Sequence, residues 1–255
     1  MRNSKKTTEA VMKENKYDNS DFFSKYSNMD RSRHGLEGAG EWHELRKMFP
    51  DFHRKNVLDL GCGFGWHCRY AVENGASSVT GIDISAKMLM EAKNKTVSEN
   101  IRYLCMPIED IDFPDHSFDI VISSLAFHYI LSFEDVLRKI GKCLVPGGSF
   151  VFSVEHPVFT AQGRQDWFYD EQGSPLHWPV DQYFIEGKRE AVFLGEEVVK
   201  YHKTLTTYIN SLIREGFEIT GLIEPKPEEH LLRTVEGMEN ELRRPMMLLI
   251  SARKK

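Results

Sequence analysis

A short apolar run in this chain stops in alternating glycines, at Val57-Leu58-Asp59-Leu60-Gly61-Cys62-Gly63-Phe64-Gly65. The apolar run predicts a buried strand, and the glycines that follow it predict a tight turn. Glycine lacks a Cβ atom and tolerates positive φ, so a ligand can come close to the backbone of the turn. A helix predicted from Trp66 would present unpaired N–H groups at its start. The stretch therefore predicts a strand, a turn and a helix that together bind a nucleotide.

A second apolar run supports this interpretation because it ends in a carboxylate. Residues 78–83 predict a second strand, and Asp83 follows Gly61 by 22 positions. An α/β nucleotide-binding unit places an acid that accepts from the ribose hydroxyls about 20 residues beyond its glycines. The dinucleotide fingerprint, however, asks for a further glycine at the position of Trp66. A nicotinamide-dependent oxidoreductase stays open as an alternative, but the sequence favours another nucleotide ligand.

The pattern Asp-x-Gly-x-Gly-x-Gly at positions 59–65 and the later Leu144-Val145-Pro146-Gly147-Gly148 resemble the class I S-adenosylmethionine-dependent methyltransferases. The resemblance is strong over residues 55–154 and is closest to the small-molecule enzymes of that family, which carry a signature like VLDLGCG and GIDIS. It implies a methyltransferase with S-adenosyl-L-methionine as cofactor and transfer by direct displacement. A protein that binds S-adenosylmethionine without catalysis is a second alternative.

The order of predicted elements indicates an α/β fold with a doubly wound, mostly parallel sheet of seven strands, the last one antiparallel. Strands are predicted to end at Leu60 and Asp83 and to span residues 101–105, 118–124, 149–154, 217–224 and 245–252. Helices are predicted over residues 41–48, 66–74, 133–144 and 200–214, and another helix is capped by Ser85. The last two strands are expected to pair as an antiparallel hairpin, which gives the Rossmann-like methyltransferase fold.

A chain of 255 residues with 41% hydrophobic content suits one large core, so a single domain is expected over residues 1–255. We divide it into an N-terminal helical lid (1–48), a cofactor-binding core (55–154), an acceptor-side insertion (155–200) and a helix with the final strand hairpin (201–255). Residues 1 to about 16 are polar and are expected to be mobile or to form a helix that orders late. The insertion shows no helical or strand period, so a long aromatic-rich loop is expected there.

Composition argues against several kinds of partner. The net charge of −5 provides no broad attraction for a polyanion, so nucleic acid is not favoured. The N-terminus lacks an apolar targeting region and no apolar run approaches the ~20 residues that span a bilayer, so a cytoplasmic protein without membrane contact is expected. The four cysteines form no CxxC pair and the histidines form no metal-binding pattern, so no metal is expected. The oligomeric state stays open.

The resemblance also implies a set of cofactor-binding residues. Asp59 is expected to position the turn, the three glycines at 61, 63 and 65 to admit the cofactor, and Asp83 to accept from both ribose hydroxyls. Ile84 and Ile108 are expected to sandwich the adenine. The predicted cofactor contacts are Asp59, Gly61, Cys62, Gly63, Gly65, Asp83, Ile84, Ile108, Glu109, Ser124, Leu125, Tyr26 and Arg33.

If the acceptor is a hydroxyl or a protonated nitrogen, a base must take its proton, and ligands bind in this architecture beyond the carboxyl ends of the strands. His128, beyond the fourth strand, is the first candidate and His156, beyond the fifth, is the second, although each also suits a hydrogen-bonded structural role.

The aromatic and imidazole side chains outside the core are expected to bind a small-molecule acceptor with an aromatic or apolar part. These predicted substrate-binding residues are Tyr17, His34, Trp167, His177, Trp178 and Tyr183. Alternatively, the tryptophans pin the insertion to the core. A protein side chain or tRNA, reached through Arg243 and Arg244, is a weaker alternative for the acceptor.

Overall fold

The computed structural model describes Lys13 and residues 15–255, so the prediction for residues 1–16 concerns mostly residues outside this part. The strands are β1 (Asn56–Leu60), β2 (Ser78–Asp83), β3 (Ile101–Cys105), β4 (Phe118–Ser124), β5 (Leu144–Glu155), β6 (Phe168–Tyr169), β7 (Pro175–His177), β8 (Gly187–Phe193), β9 (Glu196–His202), β10 (Phe217–Ile223) and β11 (Met247–Lys254). The α-helices are α1 (Ser20–Ser27), α2 (Asp30–Arg33), α3 (Trp42–Met48), α4 (Trp66–Glu73), α5 (Ala86–Asn94), α6 (Phe133–Cys143), α7 (Pro157–Thr160), α8 (Leu205–Arg214) and α9 (Glu229–Thr234). Short 3₁₀ turns span Lys16–Asp18, Gly35–Gly38, Ile108–Asp110, Phe127–Tyr129 and Met238–Arg243.

Seven strands form one sheet in the order β10-β11-β5-β4-β1-β2-β3. β1 pairs in parallel with β2 and β4, and the outer pairs β2–β3 and β4–β5 are parallel as well. β11 runs antiparallel to both of its neighbours, β5 and β10. The predicted α/β class, with a doubly wound, mostly parallel sheet of seven strands and an antiparallel last strand, is confirmed.

Neighbouring residues of the central strands point to opposite faces of the sheet, and helices cover both faces. Leu58 and Val121 belong to a core beneath α6 and α8, whereas Val57 and Ile120 pack beneath α4 and α5. Strands buried on two faces read as continuous apolar runs, which is why the sequence reveals them. Because β1, β2, β4 and β5 run in parallel, their carboxyl ends meet at one edge of the sheet.

The prediction of a long loop over residues 155–200 is wrong. The helix α7 and the paired strands β6–β7 and β8–β9 lie in this segment. β8 and β9 join through Leu194 and Gly195, whose φ values of 56° and 77° match the turns that connect twisted hairpins. Ala191 and Val198 of this hairpin are buried against Phe22 of α1, a contact that no local pattern reveals.

Two predicted boundaries differ from the structure because β9 and β5 extend into the predicted helix and turn. The helix predicted from Lys200 begins at Leu205, because residues up to His202 complete β9. β5 begins at Leu144 and includes the Pro-Gly-Gly sequence that was predicted to precede it. Among the residues that the structure describes, no helix combines the length and apolar character needed to cross a bilayer.

Candidate active site

A cavity of about 360 Å³ lies at the carboxyl ends of four parallel strands. Gly63 beyond β1, Asp83 of β2, Ser124 of β4 and Glu155 of β5 line it. Tyr17 and other residues that precede β1 form a further wall. The cavity therefore extends across the sheet, with the glycine turn near its middle.

The glycine turn is shaped for a close approach from the cavity. The backbone N–H groups of Gly61 and Cys62 both donate to Ile82 O, at 2.9 and 2.8 Å. Gly63 has a φ of 51°, and a Cβ atom added there would meet nothing within 4 Å, so the space above it is open. Gly65, which was predicted to admit the cofactor, does not line the cavity. A Cβ atom at Gly65 would lie 2.2 Å from Tyr103 Oη, so its glycine is required for packing against β3.

Asp83 lies in the cavity wall beside the glycine turn. Its Oδ2 accepts from Gly63 N and its Oδ1 from Ser85 N, each at 2.9 Å. Burial raises the pKa of this carboxyl to about 6, although the two backbone donors partly offset that effect. The carboxylate is thus oriented by the backbone, and each oxygen has a lone pair left for a ligand hydroxyl.

Asp59, one of the predicted cofactor contacts, does not line the cavity. Its side chain is buried beneath α4, and its Oδ2 accepts from Cys68 Sγ at 3.2 Å. Burial raises the pKa of the Asp59 carboxyl to about 7. Residues in a strand alternate between faces, and the adjacent Leu58 and Leu60 both pack into the core beneath α6 and α8.

The predicted adenine side of the site is assembled by three separate segments. Ile84, Ile108 and Glu109 all line the cavity near Asp83, together with Met88 of α5. The cavity wall also includes Cys62, Ser124 and Leu125, as the sequence predicted. Leu125 has a φ of 51°, and its N–H donates to Ser153 O at 2.9 Å, so β5 stabilises the bend after β4.

Sequence reasoning missed a buried ion pair in the cavity wall. Arg31 Nη2 donates to Glu41 Oε1 at 2.9 Å, and Ser124 Oγ donates to the same oxygen at 3.1 Å. Glu41 is 1% exposed, and its Oε2 has no hydrogen-bond partner within the described part of the chain. Burial opposes ionisation of Glu41, but Arg31 outweighs it and the pKa of Glu41 lies below its usual range.

Arg33 and His34, both predicted to contact ligands, lie outside the cavity wall. His34 Nδ1 lies 2.7 Å from Asp30 Oδ1, and both side chains are exposed. Residues two positions apart on a helix do not share a face, so only one of Arg31 and Arg33 can point inward. The spacing of the two arginines is visible in the sequence, but the sequence does not show which of them faces the cavity.

The predicted N-terminal contacts Tyr17 and Tyr26 do line the cavity. Tyr17 Oη lies 3.2 Å from Tyr129 Oη, and the rings of Tyr17 and Tyr26 meet edge to face at 5.1 Å. Asp18 Oδ1 accepts from Ser85 Oγ at 2.6 Å, which ties this segment to the start of α5. The part of the predicted lid that the structure describes therefore contacts the cofactor-binding core directly.

The two candidate bases have different surroundings. His128 lines the cavity, whereas His156 does not. His156 Nδ1 accepts from Val158 N at 3.0 Å as the cap of α7, and its Nε2 lies 2.8 Å from Glu224 Oε1. Nδ1 of His156 thus caps α7 and Nε2 lies beside a carboxylate, which favours the structural role given as the alternative for this residue.

The predicted acceptor-binding aromatics of the insertion also lie elsewhere. Trp167, His177, Trp178 and Tyr183 are all absent from the cavity wall, and the described insertion residues that line it are Glu155 and Phe193. Trp178 stacks on Phe159 with ring centroids 4.9 Å apart, and its Nε1 donates to Val158 O at 3.2 Å. Trp167 and Trp178 pack on each other, and Arg244 lies over the Trp178 ring, so these side chains tie the insertion to the C-terminal segment.

We expect Trp178→Ala to lower the free energy of unfolding by about 2–3 kcal/mol, because it removes a stacked, partly buried indole. Denaturant titration measures this loss. Affinity for the methyl donor is expected to be unchanged. Phe184→Ala is the matched control, since Phe184 lies in the same segment and is 89% exposed. Unchanged stability together with lost turnover of an acceptor would instead restore the predicted substrate-binding role.

The fold agrees with comparisons to known proteins. Residues 58–152 match the model of a methyltransferase domain. A crystal structure from Listeria monocytogenes assigned as an S-adenosylmethionine dependent methyltransferase is 58% identical, with a TM-score of 0.83 and coverage of 87% of this chain and 99% of that one. A Mesorhizobium loti S-adenosylmethionine dependent methyltransferase is 43% identical, with a TM-score of 0.80 and coverage of 86% of this chain and all of that one.

A more distant relative matches part of the chain. The malonyl-[acyl-carrier protein] O-methyltransferase of Enterobacter lignolyticus is 36% identical over 123 residues, which cover 48% of each protein. The near-complete matches carry the assignment, since they cover 87% and 86% of this chain and nearly the whole of the two solved chains. S-adenosylmethionine is the cofactor these neighbours share, and it replaces the nicotinamide alternative. The chain therefore belongs to the class I S-adenosylmethionine-dependent methyltransferases.

Proposed function

We propose that this enzyme methylates a small-molecule acceptor inside the cavity by direct displacement. The observation that carries the proposal is the wall over the glycine turn, where Tyr17, Tyr26 and Phe193 enclose the site from the side of the N-terminus and the β8–β9 hairpin. An enclosed site excludes water and suits an acceptor that can enter it as a whole.

The sheet order supports the following assignment of cofactor residues. Asp83 accepts from the ribose hydroxyls, Ile84 and Ile108 flank the adenine, and the methionyl group lies across the glycine turn toward β4. Arg31 and Glu41 there carry opposite charges, which match the carboxylate and the ammonium of that group. The buried, unpaired Glu41 Oε2 is a suitable acceptor for the ammonium. When bound, the cofactor supplies an activated methyl group, so the protein mainly aligns the reactants.

The acceptor then occupies the far end of the cavity, beyond β4 and β5. His128, Tyr129, Glu155 and Phe193 line this end, which we call the acceptor end. The relative from Enterobacter lignolyticus is an O-methyltransferase of malonyl-[acyl-carrier protein], which supports an oxygen acceptor here, although that acceptor is attached to a carrier protein. The net charge of −5 weighs against tRNA, because phosphate contacts dominate affinity for nucleic acids.

Incubation with methyl-labelled S-adenosylmethionine and a cell extract separated by size tests this proposal. We expect the label in the small-molecule fraction, and Asp83→Ala should abolish the transfer. Label that is found only in tRNA or in protein, and that depends on Asp83, would refute the small-molecule acceptor while leaving the methyltransferase activity intact.

The raised pKa of Asp83 predicts a pH-dependent cofactor affinity. Only the ionised carboxylate accepts from both ribose hydroxyls, so affinity should fall as the pH drops through about 6. We expect the Kd of S-adenosylhomocysteine to rise about tenfold between pH 7 and pH 5 by proton linkage. The folding stability of the free protein should depend on pH in the opposite direction. Because the pKa of Asp83 is higher in the folded state than in the unfolded state, its contribution to stability is lost as the pH rises from about 4 to about 6. Calorimetry at several pH values measures the affinity, and Asp83→Asn should remove the dependence; an equal dependence in that variant would assign it to another group.

A further inference from the structure

The acceptor end of the cavity carries a buried polar network that the transfer reaction itself does not explain. Lys200 Nζ donates to Glu155 Oε1 at 2.6 Å and to Gln165 Oε1 at 2.8 Å. Gln165 Nε2 donates to Glu155 Oε2 at 2.7 Å. Lys200 is only 2% exposed, and His128 Nε2 lies 3.9 Å from Glu155 Oε1. Lys200 of β9 and Gln165 of the insertion thus hold a carboxylate beside His128.

The ring of His128 is a hydrogen-bond donor toward this network. Its Nδ1 accepts from the backbone N–H of Glu155 at 3.4 Å, so the neutral ring carries its proton on Nε2. Burial lowers the pKa of His128 to about 4, which keeps the ring neutral near pH 7. No hydrogen bond among the described residues uses Nε2. A general base would need a free lone pair at Nε2, and this tautomer presents an N–H there instead.

Three further ionisable side chains in the cavity wall, Glu155, Glu41 and Tyr17, are also poor bases. One oxygen of Glu155 already accepts from Lys200 and the other from Gln165. Burial opposes the ionisation of Glu155, but the nearby cations outweigh burial, so the pKa of Glu155 lies below its usual range. Arg31 has the same effect on the pKa of Glu41. Burial raises the pKa of the Tyr17 phenol well above its usual value, so it stays protonated. A proton on the acceptor would therefore have no suitable recipient among His128 and these three side chains.

We propose that the acceptor is a carboxylate with an apolar body, held at one oxygen by His128 Nε2–H, and that the product is its methyl ester. The inference rests on the proposed function and names the acceptor class. The carboxylate oxygen donates its electron pair to the methyl carbon, the carbon–sulfur bond breaks, and its electron pair remains on sulfur. The products are a neutral ester and S-adenosylhomocysteine, and no proton has to be removed. The rings of Tyr17, Tyr129 and Phe193 provide apolar walls for the body of the acid.

A defined panel of probes tests the acceptor class. The full-length protein is incubated with methyl-labelled S-adenosylmethionine and benzoate, cinnamate or octanoate, and in parallel with the matching amides, 4-ethylphenol and tryptamine. A methyl ester releases its label as volatile methanol in alkali, whereas methyl ethers and amines do not. We expect alkali-labile label with at least one of the carboxylates and none with its amide. Transfer to the phenol or the amine alone, or no transfer to any carboxylate, overturns the proposal.

Two substitutions at one position separate a donor from a base. His128→Gln keeps an N–H donor but cannot take up a proton, whereas His128→Leu loses both functions. With the best carboxylate, we expect His128→Leu to raise KM about 10- to 100-fold, because this variant loses one hydrogen bond to a charged group. His128→Gln should remain within about threefold of the wild type. Equal loss of kcat in both variants would identify His128 as a base and overturn the proposal.

Donor binding distinguishes failure of this proposal from failure of the proposed function. Calorimetry with S-adenosylhomocysteine is performed on the wild type and on both variants, and all three should bind it alike. Normal donor binding with alkali-stable products refutes only the carboxylate acceptor. Absence of donor binding in the wild type refutes the proposed function as well.

Discussion

Asp83→Ala is expected to weaken the binding of S-adenosylmethionine by about 2–4 kcal/mol, or roughly 30- to 1,000-fold in Kd. The substitution removes a charged acceptor for two ribose hydroxyls. It also frees the N–H groups of Gly63 and Ser85, both of which donate to this carboxylate. The glycine turn and the start of α5 therefore lose a shared anchor, and isothermal titration calorimetry measures the combined effect.

The matched control is Asp51→Ala. Asp51 precedes β1, is exposed, and accepts only from the backbone N–H of His53 among the described hydrogen bonds, so this change should leave the affinity as it is. Circular dichroism establishes that both variants are folded. A folded Asp83→Ala protein with wild-type affinity would contradict the ribose-binding role and leave the glycine turn as the main evidence for the location of the cofactor.

Glu41→Ala is expected to lower the free energy of unfolding by about 2–4 kcal/mol, because it leaves Arg31 partly buried without its counter-ion. The Arg31 side chain is 22% exposed, so solvent screens part of this loss. Affinity for S-adenosylmethionine should fall as well, since the unpaired oxygen proposed to accept from its ammonium is removed. Urea titration measures the first effect and calorimetry the second.

A double variant separates the ion pair from the rest of the site. Arg31→Met with Glu41→Leu removes both charges and keeps similar volumes, and we expect it to be more stable than Glu41→Ala alone. Strictly additive losses from the two single substitutions would show that the pair does not couple. Donor affinity should stay low in the double variant, because both charged groups that we propose for the methionyl end are removed.

Much of the fold is visible in local sequence patterns. The central strands are buried on both faces by α4, α5, α6 and α8, so each appears as an apolar run that ends in turn residues. Ser85 and Gly75 mark a helix start and a helix end, and both act as such: Ser85 Oγ accepts from Met88 N, and Gly75 has a φ of 90°. The glycine turn and Asp83 come together because β1 and β2 are adjacent and in register.

The structures of the insertion and the lid could not be predicted from local sequence, because they depend on contacts between separate segments. Burial alternates along β8 and β9 although their sequences do not alternate polar and apolar residues, and Ala191 and Val198 are buried where Phe22 of α1 packs against them. The sequence signal for this hairpin is Leu194-Gly195 between two runs that could form strands. The many aromatic residues of the segment led us to predict a loop instead. The tryptophans next to the hairpin pack on Arg244, which is distant in the sequence.

The sequence alone therefore determined the family, the sheet and the side of the cavity that we propose binds the nucleoside, since these depend on backbone conformation and on short-range spacing. Tertiary structure decided which side chains face the cavity: Arg31 and not Arg33, Glu41 paired in the wall, His128 inside and His156 in a cap. The physical reason is that the direction of a side chain depends on the packing of its whole element, and the contacts that set this packing join residues far apart in the chain. The ionisation of these groups follows from the same contacts, because burial and the nearest opposite charge determine each pKa.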